Sequence, residues 1–152
     1  MIRVLVIDDE VGVLNHLMVL LAQSQQYEVE TLSDSRKAFE VIAAGHFDAI
    51  LLDMAMPGVS GLEVLRYVRA QHPEIGVVVI SGVEDIRLAV ESMKLGAQDY
   101  LVKPVEERDL FEALARAVSP RADVDGNQEP GGDGRPEPLE RSEAAKMQGQ
   151  AS

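Results

Sequence analysis

The chain contains no cysteine and no tryptophan. Without thiols there is neither a disulfide framework nor a thiolate metal site. Long hydrophobic runs are also missing: stretches such as Val4 to Ile7 and Val77 to Ile80 fall far below the roughly 20 residues of a membrane-crossing helix. Asp8 interrupts the start too early for a signal peptide. A cytoplasmic location with no membrane partner is the expectation. Positive charge is scarce, with 14 Lys and Arg against 26 Asp and Glu and a formal net charge of -12. That balance opposes direct nucleic-acid binding, because affinity for phosphate backbones comes from clustered basic residues. Acidity serves solubility, and its other use is the binding of cations.

What is present is apolar material for one core. The 152 residues are 46% hydrophobic, a length that suits one domain and a tail. Five short apolar runs recur: Val4 to Ile7, Tyr27 to Leu32, Ala49 to Leu52, Val77 to Ile80 and Tyr100 to Val102. Each is followed by an amphipathic stretch. β-Branched runs without polar alternation suit strands buried on both faces, hence an α/β fold with a doubly wound parallel sheet. Helical spacing links Leu14, Leu17, Met18 and Leu21, then Ala38, Val41 and Ile42, then Leu62, Leu65, Val68 and Arg69. A fourth helix is expected to carry Ile86, Ala89, Val90 and Met93, and a fifth Leu110, Leu114, Ala117 and Val118. Asp34 with Ser35 and Asp85 read as helix starts, Gly45 and Gly96 as stops.

The composition changes after Val118. Residues 119–152 hold four of the seven prolines, five of the twelve glycines and no aromatic residue. The expectation is a domain over 1–118 and a disordered, acidic tail over 119–152.

In parallel α/β sheets ligands collect at the carboxyl ends of the strands. This sequence loads those ends: the first run ends in Asp8-Asp9-Glu10, the third in Asp53, the fourth in Ser81-Gly82 and the fifth in Lys103-Pro104. Taken singly each is weak, since aspartates cap helices and occupy turns. Together they are specific. Carboxylates converging at one edge repel unless a cation or a lysine compensates, and few hard oxygen ligands suit Mg²⁺, which keeps several of its waters. Phosphoryl transfer asks for an in-line nucleophile, a divalent cation and a positive donor, roles open to Asp53, Mg²⁺ and Lys103, with the Ser81 hydroxyl beside them.

The segments VLVIDDE, LLDMAMPGVSGLEVL, VVVISG and GAQDYLVKP resemble, in order and spacing, the receiver domain of two-component response regulators, the CheY-like family, across residues 2 to about 118. The resemblance implies a flavodoxin-like strand order 2-1-3-4-5. It implies a phosphoacceptor at Asp53, fed by the phosphohistidine of a sensor histidine kinase or phosphotransfer protein. It implies Mg²⁺ or Mn²⁺ held by Asp9, Asp53 and the backbone carbonyl of Ala55, with Asp8 acting through water. Ser81 and Lys103 are similar to the pair that binds the phosphoryl group, and Ser81 with Tyr100 to the switch that follows it. The Lys103-Pro104 peptide is expected to be cis. The resemblance further implies an output surface formed by the fourth helix, fifth strand and fifth helix, an unnamed downstream protein as partner, and scope for dimer formation on phosphorylation.

Other classes fit less well. A dehalogenase-like phosphohydrolase carries a second aspartate two residues after its nucleophile, where this chain has Ala55; a pseudo-receiver has no use for the complete set Asp8, Asp9, Asp53, Ser81 and Lys103. His16, His46 and His72 lack a second ligand at metal spacing. Met54 and Met56 read as packing residues, and Pro57, Gly58 and Gly61 as turn residues. No helix-turn-helix or ATP-binding loop is read in the sequence, so action through another protein, or as a piece of a longer one, is expected. The chain departs from the commonest pattern in having Ser81 where threonine is more frequent, and apolar Ala55 and Val83 beside the phosphoryl position.

Overall fold

A computed structural model describes residues 1–82 and 85–126. The chain divides into two units, Met1–Val118 and Ser119–Ser152. The expected tail lies outside the described residues from 127 onward, as does Val83.

The strands are β1 (Ile2–Ile7), β2 (Tyr27–Leu32), β3 (Ala49–Asp53), β4 (Gly76–Ser81) and β5 (Asp99–Val102). The helices are α1 (Val11–Ala22), α2 (Ala38–Ala44), α3 (Gly61–Gln71), α4 (Ile86–Lys94) and α5 (Glu107–Gly126), with a 3-10 turn at Ser35–Lys37 before α2. All pairings are parallel. The order is β2-β1-β3-β4-β5, a flavodoxin-like arrangement that reverses direction between β1 and β3.

The continuous apolar runs have the cause their pattern indicated. Every residue of β3 and of β4 is buried, and alternate side chains feed opposite layers. Val4, Val6, Leu51, Val78 and Ile80 pack with Leu14, Leu17 and Leu21 of α1 and Leu110 and Leu114 of α5. Leu5, Ile7, Ile50, Leu52, Val77 and Val79 pack with Ile42 of α2 and Val64, Leu65 and Val68 of α3. Helix boundaries follow local chemistry: the Asp85 carboxylate accepts from the backbone N–H groups of Arg87 and Leu88, and Gly96 takes the left-handed φ of 106° that ends α4.

α4 carries the expected Ile86, Ala89, Val90 and Met93, but its apolar stripe does not enter the core: Ile86 is 80% exposed, Val90 46% and Met93 45%. Leu88 and Leu95 are the side chains packed on the core, and Ser92 beside them is buried. Residues two apart on a helix point about 200° away from each other, so stripes 86/90/93 and 88/92/95 lie on opposite sides. Periodicity located the apolar side and could not tell which side docks. Ser92 tolerates burial because its hydroxyl donates to the Leu88 carbonyl at 2.8 Å within its own helix.

Thermal or denaturant unfolding therefore separates two apolar positions of equal rank in the sequence. Val90→Gln is expected to shift stability by no more than about 0.5 kcal/mol, whereas Leu114→Ala, fully buried, costs about 2–5 kcal/mol. A loss above about 1 kcal/mol for Val90→Gln contradicts an exposed stripe.

Candidate functional site

Parallel strands bring all five carboxyl ends to one edge. The chain leaves β1 toward α1 on one side of the sheet and leaves β3 toward α3 on the other, which opens a crevice between them. Ile7 is in register with Leu52, so Asp8, the residue after β1, meets Asp53 at the end of β3. Asp9 follows on the surface. Carboxylate oxygens of Asp8, Asp9 and Asp53 all lie within 4.8 Å of one another, and among the described residues this is the only such acidic or histidine cluster.

Two of these acids are out of water: Asp8 is 2% exposed and Asp53 3%. Lys103 arrives from the end of β5, anchored where its backbone N–H donates to the Ser81 carbonyl at 2.7 Å. Its ammonium stands 2.8 Å from Asp8, 3.1 Å from Glu10 and 3.5 Å from Asp53. The Lys103-Pro104 peptide is cis. Burial and the neighbouring charge of Asp8 push the Asp53 carboxyl up to about 6, although Lys103 and the Ala55 N–H pull it down. For Lys103 burial favours the neutral amine, yet hydrogen bonds to Asp8 and Glu10 and the charges of Asp53 and Asp8 outweigh it and raise its pKa above the ordinary lysine value. Two like charges at about 5 Å still repel by roughly 3 kcal/mol at an effective dielectric near 20. One ammonium against this many carboxylates leaves a negative site, and three oxygens in reach of one point suit a hard divalent cation with waters completing its shell.

The other expected residues surround this cluster. The Ala55 N–H lies 3.5 Å from Asp53 Oδ1, so the turn after β3 folds back over the acid. Ser81 is fully buried at the end of β4, one position beyond Ile80, which is paired in register with Asp53. Tyr100 is half-buried and in register with Val79, as Val102 is with Ser81. The pleat thus directs Ser81 and Tyr100 to the same face of the sheet, the face covered by α3 and α4. Met54, directly after Asp53, is buried on that face with its sulfur 3.9 Å from the Ser92 hydroxyl of α4.

Two participants were not singled out in the sequence. Glu10 was read only as part of an acidic run; its contact with Lys103 spans 93 positions, and nothing in the local sequence announces it. Ser35, read as a helix start, is 2% exposed, and its hydroxyl donates to the Pro57 carbonyl at 2.8 Å and accepts from the Val59 N–H at 3.0 Å. The histidines stay apart from the cluster: His16 contacts the Val105 carbonyl, and His72 lies against Tyr67 and Glu74. Among the described residues no helix is long and apolar enough to cross a membrane.

Comparison with known proteins agrees with this geometry. The model of the response regulator receiver domain matches residues 4–115. The transcriptional regulatory protein MalR of Bacillus subtilis is 37% identical over 122 residues, covering 78% of this chain and 49% of MalR. FixJ of Bradyrhizobium diazoefficiens is 34% identical over 116 residues, covering 76% of this chain and 56% of FixJ. The chain thus spans about half the length of these relatives. Among solved structures, a response regulator receiver domain protein from Clostridium thermocellum superposes with a TM-score of 0.75 at 32% identity, covering 82% of this chain and 99% of its own. With its strand order, its acid cluster and these matches taken together, the chain belongs to the response regulator receiver domain family, the signalling domain of two-component systems.

Proposed function

We propose that this receiver takes a phosphoryl group from the phosphohistidine of a sensor kinase or phosphotransfer protein onto Asp53, and signals the change through α4, β5 and α5 to a partner protein in the cytoplasm. The observation that carries the reading is the convergence of Asp8, Asp9 and Asp53 within 4.8 Å of one another, with Lys103 reaching both buried acids.

Each residue has a role that its surroundings support. A carboxylate oxygen of Asp53 attacks phosphorus while the P–N bond to the donor imidazole breaks, and the electron pair leaves with the imidazole nitrogen. Asp8, Asp9, Asp53 and the Ala55 carbonyl are the groups to hold Mg²⁺ or Mn²⁺, which when bound neutralises charge on the phosphoryl oxygens. Lys103 and the Ser81 hydroxyl are the protein donors to the transferred group. Asp53 must be ionised to attack or to bind metal; with its carboxyl pushed up to about 6, protons compete increasingly as pH falls through that value. Tyr100, half-buried on the face it shares with Ser81, is the side chain to follow the serine when it moves. The exposed stripe of Ile86, Val90 and Met93 gives α4 an apolar surface to offer a partner or a second copy.

Intact-mass measurement after incubation with acetyl phosphate and Mg²⁺ tests the assignment. The parent is expected to gain one phosphoryl group and Asp53→Asn none; equal labelling of Asp53→Asn contradicts it. A second outcome concerns lifetime. Ala55 offers no side-chain hydrogen bond to a water in line with the phosphoryl group, and Val83, outside the described residues, offers none by its chemistry. Loss of such positioning is commonly worth factors of about 10 to 100 in rate. The purified phosphoprotein is therefore expected to persist for minutes or longer in Mg²⁺, and Ala55→Asn with Val83→Glu to decay faster. Decay of the parent within seconds, or no acceleration in the double variant, contradicts this.

A further inference from the structure

Building on the phosphoacceptor reading above, we propose that Ser35 is a positioning residue for the metal site: its hydroxyl fixes the loop after β3 and thereby the direction of the Ala55 carbonyl. Ser35 touches neither Asp53 nor the acids around it. It acts through the backbone of residues 57 and 59.

The loop over residues 54–60 has no helix or strand of its own. It is closed at its base by the Gly61 N–H donating to the Met54 carbonyl at 3.2 Å, and at its far end Ser60 caps α3 by accepting from the Glu63 N–H. Between these points the backbone is held from outside by Ser35, whose hydroxyl donates a hydrogen bond to the Pro57 carbonyl and accepts one from the Val59 N–H. Among the described residues the other such contact to the backbone of residues 55–59 is local, the Ala55 N–H to Asp53 Oδ1 at 3.5 Å; Ser35 is the contact made from far along the chain. A hydroxyl nine-tenths or more buried must find partners, and this one finds both on a single loop 22 and 24 positions away.

Both sides of the clamp are shaped for it. Ser35 sits on a stiff turn, because the Asp34 carboxylate accepts from the Arg36 N–H and from its guanidinium. Opposite, Gly58 takes a left-handed φ of 86°, which lets the carbonyl before it and the N–H after it converge on one oxygen. A Cβ on Gly58 would stand 3.0 Å from Arg36 Cγ and 3.3 Å from Ser35 Oγ, so a side chain there is tight against the clamp as well as strained by the positive φ. Ala55 lies two residues before Pro57 and is exposed. Asp53 holds its N–H, while its carbonyl belongs to the next peptide, toward the stretch that Ser35 clamps; a metal ligand whose direction wanders binds more weakly.

Mn²⁺ binding to the full chain, by calorimetry or electron paramagnetic resonance, and acetyl-phosphate labelling across Mg²⁺ concentrations form the test. Ser35→Ala is expected to weaken Mn²⁺ about tenfold, the lower end of the effect of removing a group that orients a ligand. Its labelling rate falls by a similar factor at low Mg²⁺ and returns to within about twofold of the parent at saturation, a split that general loosening of the fold does not produce. Lys37→Ala, an exposed position on the same turn with the hydroxyl kept, is expected to match the parent. Unchanged affinity in Ser35→Ala, a rate not restored by Mg²⁺, or an equal loss in Lys37→Ala overturns the inference. A parent that neither binds Mn²⁺ nor accepts a phosphoryl group overturns the phosphoacceptor reading itself, and that failure shows in the parent rather than in the variant.

Discussion

The structure turns on one crowded piece of electrostatics: two buried carboxylates, Asp8 and Asp53, side by side at the strand edge and served by the single ammonium of Lys103. Burial opposes ionising Asp53, and the neighbouring charge of Asp8 opposes it further. Lys103 has three N–H donors and three carboxylate neighbours, Asp8, Asp53 and Glu10, so its capacity is already committed. A divalent cation held by this cluster would relieve the remaining negative charge. On the proposed function, an arriving phosphoryl group competes for those same donors. The contact easiest to release is the one to Glu10, whose side chain is 63% exposed, since solvated pairs stabilise little.

The fold exists around this edge as a rigid support. Strands β3 and β4, buried along their whole length, fix where the backbones of Asp53 and Ser81 stand at their ends. α4 contacts the core through Leu88, Ser92 and Leu95, and Ser92 lies against Met54, the residue after Asp53. The helix that carries the exposed stripe thus touches, through Ser92, the residue that follows Asp53.

Legibility in the sequence followed the range of the interactions. The sheet was readable because burial on two faces writes itself as uninterrupted runs such as VVVIS and AILL, and the strand-end acids were readable because each directly follows such a run. The docking side of α4 was not. Its apolar residues describe a face as regular as any core face, and only the tertiary fit of Leu88 and Ser92 reveals that the helix is turned the other way. Glu10 and Ser35 were obscured for a related reason. Glu10 meets Lys103 93 positions away, and Ser35 meets Pro57 and Val59 over 22 and 24, distances over which pattern carries no information about a single contact. A buried serine also looks like an ordinary helix start until the fold removes its water.

Amide chemical shifts of the isotope-labelled chain test the proposed metal binding by the charge cluster at the strand edge. Addition of Mg²⁺ near pH 7.5 is expected to move the amides of Asp8 to Glu10, Asp53 to Ala55 and Lys103, and beryllofluoride with Mg²⁺ to extend the changes to Ser81, α4 and Tyr100. Shifts that saturate at the strand edge in that order agree with the account. Spectra unchanged by Mg²⁺, or changed only at acidic residues remote from Asp53, contradict it.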